Sequence, residues 1–247
     1  MARSTLDREL QELDSQIQRL GFLVDDALEK SLDALATGDL AQAGMVIEAD
    51  STIDSVRKTV EEHAIRLLTM QQPLGGRDLR FLTSALAIAG DLERTGDGAA
   101  GIAQILLRMV PLRVGEGAST QTVGDTLISE ASTLRGILEL GRESRRVLQG
   151  TMKAFAERDV KAARYIWEED DVVDVRYHLV RHDLMAMMAG AHAIPTLQND
   201  GKALQRVTYL LWIAHKLERV ADHCTNVCER LVFIIEGENE IIASSDR

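Results

Sequence analysis

Two short stretches of similar sequence each place a glutamate and an aspartate four residues apart. They are DLERTGD at 91–97, with Glu93 and Asp97, and KLERVAD at 216–222, with Glu218 and Asp222. Apolar residues recur around both stretches at intervals of three and four, which predicts an amphipathic helix in each case. Residues four apart share one helical face, so each stretch predicts two neighbouring carboxylates beside an apolar stripe.

An internal repeat reveals two further acidic pairs. Residues 39–54, DLAQAGMVIEADSTID, align with residues 159–174, DVKAARYIWEEDDVVD, and acidic residues match at several positions. Two of the matched pairs are again four apart, Asp50 with Asp54 and Asp170 with Asp174. If the two acidic helices of one half are neighbours, each half gathers four carboxylates, as oxygen-rich cation sites in helical bundles do.

This ligand set predicts the class of ion but not its identity. Carboxylates suit hard or borderline cations, so each half is a candidate site for divalent or trivalent metal ions such as iron, manganese, magnesium, calcium or zinc. The acidic stripe of the second half also carries His215, Asn226 and Glu229, each of which offers a ligand atom. We therefore expect the two sites to differ in metal affinity or in the number of ions held.

Two other interpretations of the acidic pairs stay open. The chain has 39 aspartates and glutamates, so some pairs are expected on plain solvated faces, and a metal-free helical scaffold would then result. A metal-dependent hydrolase or oxidase would instead need an open coordination position and a general base, for which His215 is the obvious candidate. The sequence has no phosphate-binding glycine loop, no H-E-x-x-H and no pair of Glu-x-x-His motifs, so no catalytic residues are predicted.

Composition narrows the protein's surroundings and partners. A formal net charge of −11 disfavours direct nucleic-acid binding, because such binding needs a basic face. The charged N-terminal sequence does not resemble a secretory signal, and no apolar run is long enough to span a membrane, so a soluble cytoplasmic protein is expected. Cys224 and Cys228, one helical turn apart on an apolar stripe, are expected to be buried reduced thiols.

The order of elements predicts an all-α fold of two tandem antiparallel three-helix bundles. Long helical patterns are separated by short turns at Gly38 and Arg158-Asp159 and by breaks rich in glycine or proline. The first bundle is expected over 1–113 and the second over 121–236, with a linker at 114–120 and a flexible tail at 237–247. The fourth helix is predicted to begin near Val123.

These residues resemble the PhoU family of bacterial and archaeal phosphate-signalling regulators. Its third-helix signature is close to L-E-R-I-G-D, and this chain has LERTGD at 92–97 and LERVAD at 217–222, with RDLRFL at 77–82 opening the first of these helices. The resemblance covers the chain from the first helix to about Ile235. Departures from the pattern are Ala221 for glycine, Lys216 opposite Asp91, and Gly101 opposite Asn226.

The resemblance implies a non-enzymatic regulator of phosphate uptake. Family metal sites carry over to Asp50, Asp54, Glu93 and Asp97 in the first half and to Asp170, Asp174, Glu218 and Asp222 in the second. The implied partners are the ATPase of a phosphate-specific ABC transporter and a sensor histidine kinase, with phosphate-starvation genes held off when phosphate is plentiful. Membrane association would be peripheral and through these partners, and a homodimer is left open.

Overall fold

The computed structural model describes residues 3–70, 74–112, 120–123, 126–193 and 201–237, with the side chains of 120–123, 126–130 and 190–193 excepted. Six long helices dominate this part of the chain, which confirms the predicted all-α class. They are α1 (Arg3–Thr37), α2 (Leu40–Met70), α3 (Gly76–Met109), α4 (Glu130–Glu157), α5 (Val160–Ala193) and α6 (Gly201–Glu236). No described helix is both long and apolar enough to cross a membrane.

Each half buries apolar stripes between its own three helices. In α1, for example, Leu13, Ile17, Leu20 and Val24 follow the three-four spacing and are fully buried. Burying a side chain of this size contributes about 1.5–3 kcal/mol relative to exposure. Helices α1, α2 and α3 pack on one another, as do α4, α5 and α6, and this packing brings α2 beside α3 and α5 beside α6.

The two short turns between helices share one geometry although their residues differ. Gly38 ends α1 with φ of 72°, and Arg158 ends α4 with φ of 57°. Each is followed by an aspartate whose Oδ1 accepts hydrogen bonds from two backbone N–H groups of the next helix, at 2.9 and 3.0 Å in both turns. The turns therefore repeat the same cap, with arginine in the left-handed position that favours glycine.

The start of the fourth helix was predicted wrongly. Residues Thr120–Val123 and Thr126–Ser129 form two antiparallel strands, β1 and β2, and α4 begins only at Glu130. Threonine, valine and isoleucine favour extended backbone, which accounts for the two strands. Most of the predicted linker and all of the predicted tail after Gly237 lie outside the described residues.

The two halves pack through α3 against α6 and through α1 against α4. On the α1–α4 side, Arg145 bonds Asp25 at 2.7 and 3.0 Å and Glu29 at 2.6 Å. On the α3–α6 side a Cβ at Gly98 would lie 3.9 Å from the carbonyl oxygen of Lys216. That is an ordinary van der Waals distance, so the packing of these helices does not by itself require glycine at position 98.

Candidate functional site

The first acidic cluster consists of Asp50 and Asp54 from α2 and Glu93 and Asp97 from α3. Burial is the main cause that raises the pKa of Asp50, and the charges of Asp97 and Asp54 raise it further. The pKa of Glu93 is raised by burial and then by Asp97. Since a charge acts on a neighbour's pKa only at short range, the structure brings the four predicted carboxylates of this half into one region.

Basic side chains from three helices partly neutralise the first cluster, with Arg57, Arg94 and Lys216 each acting on Glu93 or Asp97. The Nε of Arg57 lies 3.6 Å from Oε1 of Glu93, and Arg57 also pairs with Glu61 on its own helix. Burial and Asp54 raise the pKa of Asp97, whereas the positive charges of Lys216 and Arg57 act in the opposite direction. Lys216 belongs to α6, so the second half of the chain contributes a counter-charge to the first cluster.

The second acidic cluster consists of Asp170 and Asp174 from α5 and Glu218 and Asp222 from α6. Burial raises the pKa of Asp170 to about 6, with further contributions from Asp174, Asp222 and other acids. The Oδ1 atom of Asp170 is buried and has no hydrogen-bond partner within the described part of the chain. A buried carboxylate oxygen without a donor is costly, so this cluster is electrostatically incomplete.

The position that carries Arg57 in the first half carries Tyr177 in the second. Burial raises the pKa of the Tyr177 hydroxyl, and the negative charge of Glu218 raises it further. Burial and then Asp174 raise the pKa of Asp222, while His223, Arg219 and His215 lower it. The second cluster thus has basic groups on its α6 side but no cation at the α5 position that Arg57 fills in the first half.

The three additional candidate ligands of α6 do not all join the second cluster. His215 lies next to it, with Nδ1 2.9 Å from Oε2 of Glu218. Asn226 instead donates to Asp91 of α3 across the contact between the halves. Glu229 lines a groove of about 610 Å³ together with residues of α2 and α3, among them Arg57 and Glu93.

The donor set of the two clusters fits a hard cation, but the side chains do not form a finished coordination shell. Among the described residues, no three His, Cys, Asp or Glu side chains converge closely enough to hold an ion. Four carboxylates from two adjacent helices and the unpartnered oxygen of Asp170 are what a cation with oxygen ligands would complete. The residues are therefore compatible with a metal site. On binding an ion, the carboxylate side chains would change rotamer and converge on it.

The two cysteines behave as the sequence predicted. Cys224 and Cys228 are free and buried. Burial raises the pKa of the Cys228 thiol to about 11 and raises that of Cys224 as well, so both stay protonated near neutral pH.

A buried network between the halves was not predicted from the sequence. Oδ1 of Asp91 on α3 lies 3.1 Å from Nδ1 of His223 and 3.3 Å from Nδ2 of Asn226, both on α6, and 3.2 Å from an η-nitrogen of Arg94. The side chains of Asp91 and His223 are 9% and 10% exposed. Three donors on one carboxylate oxygen fix the orientation of this contact.

The same contact is built twice, with different residues. Asp91 in α3 corresponds to Lys216 in α6, and the positions of His223 and Asn226 in α6 correspond to glycines 98 and 101 in α3. A Cβ at Gly101 would lie 2.5 Å from Nζ of Lys216, so the lysine occupies the space that a side chain there would fill. The departures from the repeat pattern at these positions therefore compensate one another, and a comparison of the two copies is the sequence signal that could have revealed them.

Beside this network, α3 and α6 enclose a pocket of about 230 Å³. It lies between the two acidic stretches and is lined by residues of both halves. The lining residues are Arg94, Asp97, Gly98, Lys216, Arg219, Val220 and His223. Most of its polar lining is basic, which is unusual on a chain with net charge −11.

Comparison with known proteins places both halves in one family of sequences. The model of the PhoU domain matches residues 17–106 and 137–231. The phosphate-specific transport system accessory protein PhoU homolog of Streptococcus pneumoniae serotype 4 is 30% identical over 236 residues, which cover 96% of this chain and 97% of that protein. The homolog of the same name from Clostridium acetobutylicum is 28% identical over 238 residues, with coverage of 96% and 97%.

Solved structures show the same architecture. The crystal structure of PhoU from Pseudomonas aeruginosa matches with a TM-score of 0.78 at 26% identity, covering 94% of this chain and 99% of that one. The crystal structure of the phosphate transport system regulatory protein PhoU from Streptococcus pneumoniae matches with a TM-score of 0.74 at 30% identity, covering 96% and 100%.

Proposed function

The chain belongs to the PhoU family, and we propose that it is a non-enzymatic regulator of phosphate uptake and phosphate-starvation signalling. Its relatives along nearly their whole length are named accessory proteins of a phosphate-specific transport system. In this role it is an adaptor that couples the ATPase of a phosphate ABC transporter to a sensor histidine kinase. Its placement in the cytoplasm, peripheral to the membrane through those partners, belongs to the same proposal, and a homodimer stays a prediction.

Metal binding by the two acidic clusters is the second part of the proposal. Asp50, Asp54, Glu93 and Asp97 would hold one site, and Asp170, Asp174, Glu218 and Asp222 the other, with His215 next to the second. A bound cation supplies positive charge to carboxylates that otherwise repel one another across two helices. The observation that carries this is the buried Oδ1 of Asp170, which lacks a donor in the described part of the chain.

The electrostatics of the clusters indicate how metal would affect regulation. Without a cation, the acids of α5 and α6 repel each other, which favours separation of the two helices in the second half. With a cation the helices are held together, and the exposed surface of the half becomes less negative. The surface presented to a basic or neutral partner therefore differs in charge between the metal-free and the metal-bound states.

Binding to the transporter tests the proposal directly. The purified chain, chelated or supplied with manganese, iron or magnesium, is titrated against the transporter in lipid nanodiscs, and binding is measured by interferometry. We expect tighter binding with metal and loss of that gain in the Asp170→Asn, Asp174→Asn double variant. The matched control is Glu168→Gln with Asp183→Asn, which removes the same charge from α5 outside the cluster.

Each alternative has its own outcome in this experiment. No binding in any metal state would contradict the adaptor role. Equal binding to the transporter with and without metal would support the adaptor role but contradict a function for metal in it. A metal-free scaffold predicts this result. Turnover of phosphate esters or of oxygen by the metal-loaded chain, lost in the double variant, would support the hydrolase or oxidase instead.

A further inference from the structure

The pocket of about 230 Å³ between α3 and α6 has a positive lining that the metal proposal does not use. Arg94, Lys216 and Arg219 bring three permanent positive charges to it, and His223 adds an imidazole ring. Asp97 is the one acidic side chain in its lining. The pocket is thus a local concentration of positive charge on an acidic protein, and it is concave rather than an open basic surface.

Two of these cations have no ion-pair partner of their own. Within the described part of the chain, neither Lys216 nor Arg219 forms a salt bridge, whereas Arg145, Arg146 and Arg158 all do. Lys216 acts on Asp97 and Arg219 acts on Asp222 only through longer-range charge effects. Unpaired cations around a concave space are available to bind an anion of matching size.

The other two basic side chains, Arg94 and His223, are held in place by the buried carboxylate of Asp91. Buried Asp91 accepts from Arg94 at 3.2 Å and lies 3.1 Å from Nδ1 of His223. Because an ionised carboxylate only accepts hydrogen bonds, Nδ1 of His223 is the donor in this pair, and Nε2 is the ring nitrogen that the pocket can use. Asp91 therefore positions two of the pocket's basic groups without lining the pocket itself.

We propose that this pocket binds inorganic phosphate. Lys216, Arg219 and Arg94 bind the anionic oxygens, and the ring of His223 completes the basic part of the lining. Asp97 accepts the remaining hydroxyl hydrogen of hydrogen phosphate. Sulfate has no such hydrogen at neutral pH and leaves Asp97 facing an anion without a bond, so the pocket selects phosphate over sulfate.

The basic lining alone indicates that the ligand of this pocket is an anion. The choice of phosphate among tetrahedral oxyanions rests on the proposed function. Phosphate bound here contacts both α3 and α6, one from each half of the chain. Its occupancy therefore affects the contact between the halves. The shared residue Asp97 also links this pocket to the first acidic cluster.

The test measures binding of phosphate and of sulfate to the purified full-length chain by isothermal titration calorimetry at constant ionic strength, with and without manganese. We expect one saturable phosphate site, weakened at least about tenfold in Arg219→Gln and in Lys216→Gln because each loses a charge-assisted bond. Arg230→Gln removes the same charge from the same helix outside the pocket and should bind as the wild type does. Asp97→Asn should bind sulfate and phosphate about equally.

Several results would overturn the proposal. One is the absence of saturable phosphate binding in the wild type. Another is an equal loss of phosphate affinity in Arg230→Gln and Arg219→Gln, which would show that general positive charge rather than this pocket attracts phosphate. Sulfate binding as tight as phosphate binding in the wild type removes the role given to Asp97. Because no transporter is present, these results leave the adaptor role untouched, and an adaptor that fails to bind the transporter can still bind phosphate here.

Discussion

The two acidic clusters each consist of three aspartates and one glutamate on corresponding helices, yet their charge balance differs. In the first, Arg57 and Lys216 offset the charges of Glu93 and Asp97. In the second, tyrosine replaces the arginine, and the acids around Asp170 raise its pKa to about 6 after burial has its effect. A duplicated motif therefore does not imply two equivalent sites, because residues outside the motif set the charge that a bound ion must supply.

This difference predicts which cluster depends more on metal. In the first cluster, Arg57 and Lys216 already supply part of the positive charge that a cation would bring, so a metal ion must compete with them. The second has an unpartnered buried oxygen and tyrosine at the position that Arg57 fills in the first, so its basic groups Arg219, His215 and His223 all come from α6. We expect the second cluster to bind metal more tightly and the first to be occupied only at higher metal concentration.

The largest expected effect is the loss of the tighter metal site. Asp170→Asn with Asp174→Asn should lower the highest metal affinity by more than the roughly 10–100-fold typical of losing an outer-shell partner. Asp50→Asn with Asp54→Asn should leave that affinity unchanged and remove only the weaker binding. Manganese titration by calorimetry measures both, and equal losses in the two variants would contradict the ranking.

Exchanging the residues that distinguish the clusters should bring the two affinities closer together. Tyr177→Arg places a positive charge beside Glu218 and should weaken metal binding at the second cluster by about tenfold. Arg57→Tyr should strengthen the first cluster by a similar factor, because Glu93 loses its counter-charge. Titration of each variant with manganese tests this, and no change in either would show that other residues set the difference.

A smaller effect is expected on the stability of the metal-free protein. Because the pKa of Asp170 is raised to about 6, its ionisation opposes folding above that pH and has no effect where it is protonated in both states. Asp170→Asn should therefore stabilise the chelated protein near neutral pH by about 1–2 kcal/mol, after allowance for its partial exposure.

The gain from Asp170→Asn should shrink as the pH falls below 6 and vanish near the ordinary aspartate pKa of about 4. Urea denaturation of the chelated wild type and variant across this pH range measures it. Asp50→Asn should give a smaller gain, because Asp50 is less buried than Asp170 and fewer acidic neighbours raise its pKa. A destabilised Asp170→Asn at neutral pH would show that the carboxylate has a donor after all.

The smallest effect concerns the two matching turns. Gly38→Ala should cost about 1 kcal/mol, since a Cβ is unfavourable at its φ of 72°. Arg158→Gly relieves the same strain but loses ring contacts with Phe81 and Phe155 and an ion pair with Asp14, so a net change below about 1 kcal/mol is expected. Denaturant midpoints measure both, and a larger loss for Arg158→Gly would show that its contacts dominate.

Most of the fold could be predicted because its signals are local. Apolar spacing of three and four predicts a helix wherever it runs long enough, and Gly38 and Asp39 mark a helix end and a helix start within the sequence itself. The eight carboxylates followed from spacing along a helix and from the repeat. The hairpin before α4 was missed because its strands are four residues each, too short for a periodic pattern to outweigh the neighbouring helix signal.

The unpredicted parts depend on contacts between distant residues. Asp91 and His223 belong to different halves, and nothing in either local sequence indicates that they meet. Asn226 and Glu229 were predicted as ligands of the second cluster from helical spacing, which places them on a face without showing which neighbour that face meets. Arg158 in a glycine-like conformation is explained by its contacts with Phe81 and Asp14, which come from the other half.

The contact between α3 and α6 also favours pairing of unlike halves over pairing of like halves. If α3 packed in the same way on another α3, buried Asp91 would face two glycines and keep only Arg94 of its own helix as a donor. If α6 packed on another α6, Lys216 would meet His223 and Asn226 in the space it now occupies over glycines. Each half is therefore a poor partner for a copy of itself and a good partner for the other, so the duplicated chain discourages like halves of separate molecules from pairing.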